Sequence, residues 1–229
     1  MKHEWLERDN IVRRKGIYVD EFVSGFETPN KPILLEGCFD KWLALKKWDR
    51  DYLVEVCGDN RFAVGPAQMT LTDYFVYSDQ AQEERPFVLG DERPDYRWII
   101  IGPAGSGSSF HIDPNSTSAW NAVVKGSKKW FLFPPDVVPP GVYPSSDGAE
   151  VACPVSITEW FMNFYESTKT WKKKPVECVC KAGEVIFVPN GWWHLVINLE
   201  DSIAITHNFV SRRNSCFLCK TKARGATSK

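Results

Sequence analysis

The chain has 229 residues, 43% of them hydrophobic, which is enough for one well-buried domain, and nothing in the composition indicates a second. Lysine and arginine number 28 against 29 acidic residues, so the formal net charge of -1 gives no overall attraction to nucleic acid or membrane. No apolar run approaches the roughly 18 residues of a membrane span, and the opening MKHEWLERDN is too charged for a secretory signal.

The seven cysteines are an odd number in a chain large enough to have its own core, which argues against a disulfide framework. We therefore expect reduced thiols and an intracellular location, in the nucleus or the cytoplasm. Cys216 and Cys219 have the spacing of half a zinc site, but no second pair or nearby histidine completes it. Two ordinary thiols are the preferred interpretation there.

Helical and strand patterns alternate in the first third of the chain. We predict an N-terminal extension over residues 1–17, followed by one domain over residues 18–213. Within residues 18–79, helical periodicity marks YVDEFVSGF, FDKWLALKKWDRDYLVEVC and LTDYFVYSD. Short strands are predicted between them at PILLEG and RFAVG.

From Phe87 onward the chain is rich in β-branched and aromatic residues punctuated by glycine and proline, which is typical of short strands. His111 and Asp113 lie in the predicted strand SSFHIDPNST, where residues two apart point to the same face and can reach one metal. The preceding GPAGSG lacks the Gly-Lys-Ser/Thr ending of a phosphate loop and precedes a strand. We interpret it as a turn that lets backbone approach the pocket.

Two further predicted strands carry polar side chains, Asn121 in SAWNAVVKG and Lys128 in GSKKWFLFPP. A lysine that points into a barrel is costly, because a desolvated ammonium must pair with an anion or lose its proton. An anionic co-substrate would supply that partner.

The proline-rich stretch PPDVVPPGVYPSSDGAE is predicted as an insertion loop, and SITEWFMNFYEST as an amphipathic helix with Ser156 or Thr158 as its cap. Strands resume at VECVCKAG and continue to about Val210. A helical front followed by about eight short antiparallel strands predicts an all-β core with flanking helices. The predicted fold is a double-stranded β-helix, a jelly-roll or cupin-like barrel, with its core at about residues 87–210.

His194 lies in EVIFVPNGWWHLVINL, where two apolar runs flank a Pro-Asn-Gly turn and indicate neighbouring strands. With His111 and Asp113 it gives two imidazoles and one carboxylate. This is a facial ligand set for ferrous iron, and it leaves three coordination positions open for oxygen chemistry.

Aromatic and polar residues flank the third histidine. Thr206, in DSIAITHNFVS, is a candidate site residue, whereas its neighbour His207 should face the other side of the strand and be structural. Trp192 and Trp193 are interpreted as barrel packing, with one of them as a wall of the site.

Two long blocks, RWIIIGPAGSGSSFHIDPNSTSAWNAVVKGSKKWFLFPP and GEVIFVPNGWWHLVINLEDSIAITHNFVS, resemble the jumonji C (JmjC) family of iron- and 2-oxoglutarate-dependent oxygenases. The upstream KPILLEGCFDKWLALKKW is similar to the entry segment of that family, so the resemblance spans about Tyr18 to Arg213. It is strongest to the branch that contains a lysyl hydroxylase also proposed as an arginine demethylase. The resemblance implies a metal site of His111, Asp113 and His194, with Fe(II), 2-oxoglutarate and O2 as cofactor and co-substrates.

The resemblance also implies how the co-substrate is held. Lys128 would pair with the distal carboxylate of 2-oxoglutarate, and Thr206 would donate a hydrogen bond to the same group. Asn121 and Ser108 would be further co-substrate contacts, Ser108 standing where the relative has threonine. Asn208 is a weaker candidate for the wall of the site.

The activity that the resemblance implies is hydroxylation of a protein side chain, most of all lysine, with release of succinate and CO2. An aspartate as the middle ligand is more typical of the hydroxylases of this family. The same chemistry on an N-methyl carbon of arginine or lysine would make the chain a demethylase, and the motif residues do not decide between the two. A non-catalytic metal-binding cupin module is a third reading, against which the presence of Lys128, Asn121 and Thr206 counts.

The final stretch, SRRNSCFLCKTKARGATSK, contains six basic residues and no acidic one. It could contact RNA, but a flexible basic tail over residues 214–229 is preferred, and nucleic acid is not the expected partner. We expect a protein or peptide substrate and no membrane. The resembled hydroxylase continues into dimerisation helices that this tail is too short to reproduce, so a monomer is expected.

Overall fold

Two β-sheets face each other and enclose the inner core of the protein. The structure, a computed structural model, describes residues 3–57, 97–145, 151–154 and 156–211. The predicted elements LTDYFVYSD and RFAVG, the barrel residues 87–96, Cys216, Cys219 and the tail over residues 214–229 lie outside those ranges.

Twelve strands and four α-helices are present in the described ranges. The strands are β1 (Arg13–Lys15), β2 (Ile33–Glu36), β3 (Arg97–Gly102), β4 (Gly107–His111), β5 (Ser118–Lys125), β6 (Ser127–Phe133), β7 (Tyr143–Pro144), β8 (Val151–Ala152), β9 (Val176–Lys181), β10 (Glu184–Val188), β11 (Trp193–Asn198) and β12 (Ser202–Phe209). The helices are α1 (Val19–Phe22), continued by a π-helical turn (Val23–Glu27), α2 (Ala44–Lys47), α3 (Arg50–Cys57) and α4 (Ile157–Thr168).

The strand order is that of a jelly roll. One sheet runs β1-β2-β10-β5-β12-β3 and the other runs β4-β11-β6-β9. The eight strands β3 to β6 and β9 to β12 pair only antiparallel to one another in the described residues, whereas β1 and β2 extend the first sheet as a parallel pair. The predicted double-stranded β-helix, with helices before it, is confirmed.

Alternation along the strands separates an inner core from an outer one. Side chains from both sheets meet between them, and this inner core includes Leu34, Val123, Trp130, Ile186 and Val196. Residues one position away on β6 and β11 point to the opposite face. There they pack under α4 in an outer core that includes Phe131, Phe133, Trp160, Leu195 and Ile197.

Helix α4 begins where the sequence predicts. The hydroxyl of Ser156 accepts a hydrogen bond from the backbone N–H of Glu159 at 3.1 Å, so Ser156 rather than Thr158 is the N-cap. The proline-rich stretch before it is not entirely a loop, since Tyr143–Pro144 pairs with Val151–Ala152 in a short two-stranded sheet.

The predicted N-terminal extension packs on the barrel. Asn10 exchanges backbone and side-chain hydrogen bonds with Glu177 of β9 (2.9 and 2.7 Å), and Trp5 stacks on Phe161 with ring centroids 4.9 Å apart. The domain boundary at residue 18 stays a prediction. Among the described helices none is long and apolar enough to cross a membrane.

Candidate metal centre

The three predicted metal ligands come together at one end of the barrel. His111 and His194 are register partners of β4 and β11, with ring centroids 4.1 Å apart. One ligand atom each from His111, Asp113 and His194 all lie within 4.8 Å of one another. Three donors at such separations can share a single ion, so the geometry agrees with the predicted ligand set.

Both imidazoles are oriented by backbone carbonyls. The Nδ1–H of His194 donates to the carbonyl of Trp192 at 3.1 Å, and that of His111 donates to the carbonyl of Ser109 at 2.8 Å. A carbonyl only accepts, so these bonds select the tautomer that leaves Nε2 free as a ligand. Burial, followed by the proximity of His111, lowers the pKa of His194 to about 4, so this imidazole is neutral and ready for a metal at neutral pH.

Asp113 is held from the opposite sheet. The side-chain amide of Asn208, on β12, donates to Oδ1 of Asp113 at 3.1 Å and lies 3.2 Å from the hydroxyl of Thr117. This hydrogen bond fixes one oxygen of the Asp113 carboxylate, and the position of the other oxygen follows from it. This hydrogen bond therefore ties the ligand set, which comes from β4, β11 and the residues just after β4, to the larger sheet.

A bulge in β4 decides where Ser108 points. Two residues of β4, Ser109 and Phe110, lie opposite the single residue Leu195 of β11, because His111 pairs with His194 and Ser108 pairs with Val196. Without the bulge, residues three apart on a strand would point to opposite faces; with it, Ser108 shares the inner face with His111. Ser108 is exposed, and β4 is an edge strand of the smaller sheet.

Lys128 and Lys129 are adjacent, almost fully buried and differently paired. Lys129 points to the outer face, where its Nζ lies 3.2 Å from Glu177 and donates to the carbonyl of Arg8. Lys128 points to the inner face, where its ammonium donates to the neutral side-chain oxygen of Asn198 at 2.5 Å. Burial lowers the pKa of Lys128 to about 8. Among the described residues, no anion lies beside the buried Lys128 ammonium.

A family comparison decides what kind of barrel this is. A sequence model described as "Cupin-like domain" matches residues 71–215. The chain belongs to the cupin-like domain family. This family agrees with the cupin-like barrel that the sequence predicts.

Three relatives show which proteins this cupin-like domain is similar to. "Arginine-specific demethylase JMJ22" of Arabidopsis thaliana is 66% identical over 244 residues, covering 93% of this chain and 49% of the relative. "Bifunctional arginine demethylase and lysyl-hydroxylase psr-1" of Caenorhabditis elegans is 32% identical over 256 residues, covering 90% and 63%. The human "2-oxoglutarate and iron-dependent oxygenase JMJD4" is 28% identical over 252 residues, covering 85% and 59%.

These names confirm the resemblance to iron- and 2-oxoglutarate-dependent JmjC oxygenases. The chain spans less than two thirds of the length of each of these three relatives. Their reactions and substrates are therefore carried to this cupin-like domain only as a proposal.

The remaining predicted contacts lie on the inner face of the larger sheet. Asn121 and Thr206 are register partners of β5 and β12. The side-chain oxygen of Asn121 is buried and has no hydrogen-bond partner within the described ranges, so it can accept a hydrogen bond from a ligand or water. The hydroxyl of Thr206 donates to the carbonyl of Trp120 at 3.1 Å and must rotate before it can donate to a carboxylate.

The structure also places His207 and the two tryptophans that precede His194. His207 lies on the opposite face of β12, between Trp120 and Phe209, with ring centroids 5.3 and 6.2 Å away. Burial lowers its pKa to about 3, which agrees with a structural role. Trp193 packs in the outer core and Trp192 in the inner core, where its indole N–H donates to the carbonyl of Asn30.

Sequence reasoning missed two residues of this cupin-like domain's pocket. Trp130 stacks beside His194 with ring centroids 6.0 Å apart, and no described residue accepts a hydrogen bond from its buried indole nitrogen. Asn198 holds Lys128. Each follows from strand periodicity, since Trp130 is two residues beyond Lys128 and Asn198 is four beyond His194, on the same faces.

Proposed function

We propose that this cupin-like domain is an Fe(II)- and 2-oxoglutarate-dependent oxygenase that acts on a protein side chain. The observation that carries the proposal is that one barrel contains both a set of two histidines and one carboxylate and a buried lysine. Among the described residues this lysine has no anion beside it. That donor set suits ferrous iron with open positions, and the lysine suits a dicarboxylate.

The chain's own residues divide the work of binding. His111, Asp113 and His194 would hold the iron, which when bound couples O2 and the decarboxylation of 2-oxoglutarate to oxidation of a substrate C–H bond. Lys128 would bind the distal carboxylate of 2-oxoglutarate as an ion pair in a pocket of low polarity.

Three neutral side chains would complete the co-substrate pocket. Asn121 and Ser108 would hydrogen bond to 2-oxoglutarate, and Thr206 would donate to the distal carboxylate after rotating from the carbonyl of Trp120. Trp130 and the inner core pack beside His194, and they would exclude water there and protect the site from unproductive oxidation.

Two reactions of this chemistry remain as candidates for the substrate step. Hydroxylation of a lysine side chain is our first candidate, supported by the aspartate in the middle of the triad and by the relative named as a lysyl-hydroxylase. Demethylation of N-methylarginine is favoured by the 66% identity to a relative named as an arginine-specific demethylase. The two differ only in which carbon is held beside the metal.

Turnover of peptides would test the proposal. Protein supplied with Fe(II), O2 and 2-oxoglutarate should release succinate, and Asp113→Ala should abolish that release. Mass spectrometry of lysine and N-methylarginine peptides separates the reactions, since hydroxylation adds one oxygen and demethylation removes a methylene and releases formaldehyde. Absence of succinate from iron-loaded, folded protein would favour the metal-binding module instead.

A further inference from the structure

We propose that Asn198 is the positioning residue for Lys128, and that the glycine-rich segment at residues 102–107 holds Asn198 in place. The pair would present a fixed, uncompensated positive charge to the distal carboxylate of the co-substrate. This inference rests on the proposed function, because it takes Lys128 to be the residue that binds 2-oxoglutarate.

Asn198 and Lys128 are register partners on β11 and β6, so their side chains project from the same face. They are 3% and 2% exposed, and the ammonium donates to Oδ1 of Asn198 at 2.5 Å. On its other side Lys128 is the register partner of Cys180, whose thiol pKa is raised far above its usual range by burial. The row Asn198–Lys128–Cys180 therefore contains one cation and two neutral groups.

The neighbours of Asn198 dictate which way its amide faces. The hydroxyl of Ser106 donates its only proton to the carbonyl of Pro103 at 2.6 Å, so toward Asn198 it can only accept. The amide nitrogen of Asn198 donates to that hydroxyl at 2.9 Å, and the carbonyl of Pro103 lies 3.4 Å from the same nitrogen. Because an ammonium has no acceptor, the amide oxygen must face Lys128.

The backbone of Asn198 is fixed by the same segment. Its N–H donates to the carbonyl of Ser106, and its carbonyl accepts from the N–H of Gly105, both at 2.8 Å. A Cβ on Gly102 would lie 2.7 Å from the amide nitrogen of Asn198, and one on Gly107 would lie 2.0 Å from the carbonyl oxygen of Val196. The two glycines thus allow the segment to lie against β11, which accounts for a motif that superficially resembles a phosphate loop.

Because Asn198 is neutral, it accepts a hydrogen bond from Lys128 without neutralising the ammonium. Asn198 satisfies one of the three N–H groups of the ammonium and leaves its charge for the ligand. An aspartate at position 198 would neutralise that charge and compete with the incoming carboxylate. The amide is therefore suited to positioning, whereas the nearly isosteric carboxylate would inhibit binding.

The test measures dissociation constants by calorimetry on Fe(II)-loaded protein without O2, for the wild type, Asn198→Asp, Asn198→Ala, Ser106→Ala and Lys128→Ala. We expect Asn198→Asp to weaken 2-oxoglutarate binding by about tenfold or more, and Asn198→Ala by less, in keeping with one hydrogen bond to a charged group. Iron binding should be unchanged in both. Ser106→Ala removes the acceptor that orients the Asn198 amide, so it should also weaken 2-oxoglutarate binding. If a variant at position 198 does not fold, Ser106→Ala tests the inference in its place.

A second ligand separates positioning from general damage to the pocket. 2-Oxobutyrate has the metal-chelating end of 2-oxoglutarate but lacks the distal carboxylate, so its affinity should be the same in all these variants. Equal loss of both ligands, or unchanged 2-oxoglutarate affinity in the variants at positions 198 and 106, would overturn the inference while leaving the proposed function intact. Unchanged 2-oxoglutarate affinity in Lys128→Ala would overturn the proposed role of Lys128, and the inference with it.

Discussion

At the scale of single residues, Lys128 and Lys129 show how environment divides two identical side chains. Both are buried, but in the part of the chain that the structure describes Lys129 has a carboxylate partner in Glu177, and Lys128 has only the neutral Asn198. A buried ammonium without an anion destabilises the folded state, because its lost hydration is not replaced. An anion that enters the site and pairs with Lys128 offsets this lost hydration, so the buried ammonium favours anion binding.

Replacing Lys128 with methionine should therefore stabilise the ligand-free protein and abolish 2-oxoglutarate binding. The buried charge is lost while length is kept, and we expect a gain of about 1–3 kcal/mol at neutral pH by denaturant unfolding. The pKa of Lys128 is about 8 when folded, against 10.5 ordinarily. As pH rises from about 8 to 10.5 the unfolded chain binds more protons than the folded one, so the wild type gains stability and the difference disappears. If the stability gained by Lys128→Met does not change with pH, the lowered pKa of Lys128 is contradicted.

The contact between Asn208 and Asp113 belongs to the same scale. Asn208→Ala should weaken iron binding about 10–100-fold, as is usual when a residue that orients a metal ligand is removed. Competition with a chelator of known iron affinity measures the effect. Thr117→Val, which removes the other partner of Asn208, is the matched control and should have a smaller effect. Unchanged iron affinity in Asn208→Ala would show that this hydrogen bond does not position the carboxylate.

At the scale of elements, irregular backbone positions the site more than regular strands do. The bulge in β4 turns Ser108 toward the inner face. The turn before β11 is tied to the N-terminal half through Asn30, whose amide donates to the carbonyl of Asn190 at 2.9 Å. The carbonyl of Asn30 also accepts from the indole of Trp192, and the carbonyl of Trp192 in turn orients His194.

Trp192→Phe should lower both stability and iron affinity. It keeps the aromatic ring and removes the 2.9 Å hydrogen bond to Asn30, which we expect to cost about 1–2 kcal/mol in unfolding free energy. Trp193→Phe, on the outer face, is the control and should leave iron affinity unchanged. If both variants bind iron equally well, the link from Asn30 to His194 has no functional effect.

At the scale of the whole molecule, the N-terminal segment and the barrel share one buried network of charges. Glu177 lies 3.2 Å from Lys129 and 3.3 Å from Arg8, and the hydroxyl of Tyr165 lies 3.5 Å away. Burial raises the pKa of Glu177, while Lys129 and Arg8 oppose that rise. Strand β9, helix α4 and the segment before β1 are thereby joined beneath the outer core.

Glu177→Ala should destabilise the fold by about 3–5 kcal/mol, because it leaves Lys129 buried without a counter-ion. The double variant with Lys129→Met should recover part of the loss, since no charge is then left unpaired. Lys173→Met removes an exposed pair with Asp136 and should change stability by less than about 1 kcal/mol. Denaturant unfolding of the wild type and these three variants measures their free energies of unfolding. A double variant no more stable than Glu177→Ala would contradict the prediction.

The sequence by itself predicted the fold class, the three ligand residues and the inward lysine. These follow from residue chemistry and from the two-residue period of a strand, which are properties of short stretches such as His111 to Asp113. Only the tertiary structure decided that Lys129, and not Lys128, pairs with a carboxylate among the described residues. It also decided that Asn208 holds Asp113 across 95 positions and that Asn198 holds Lys128 across 70. Such pairings are set by strand register, by a bulge and by packing between sheets, and no local pattern encodes them.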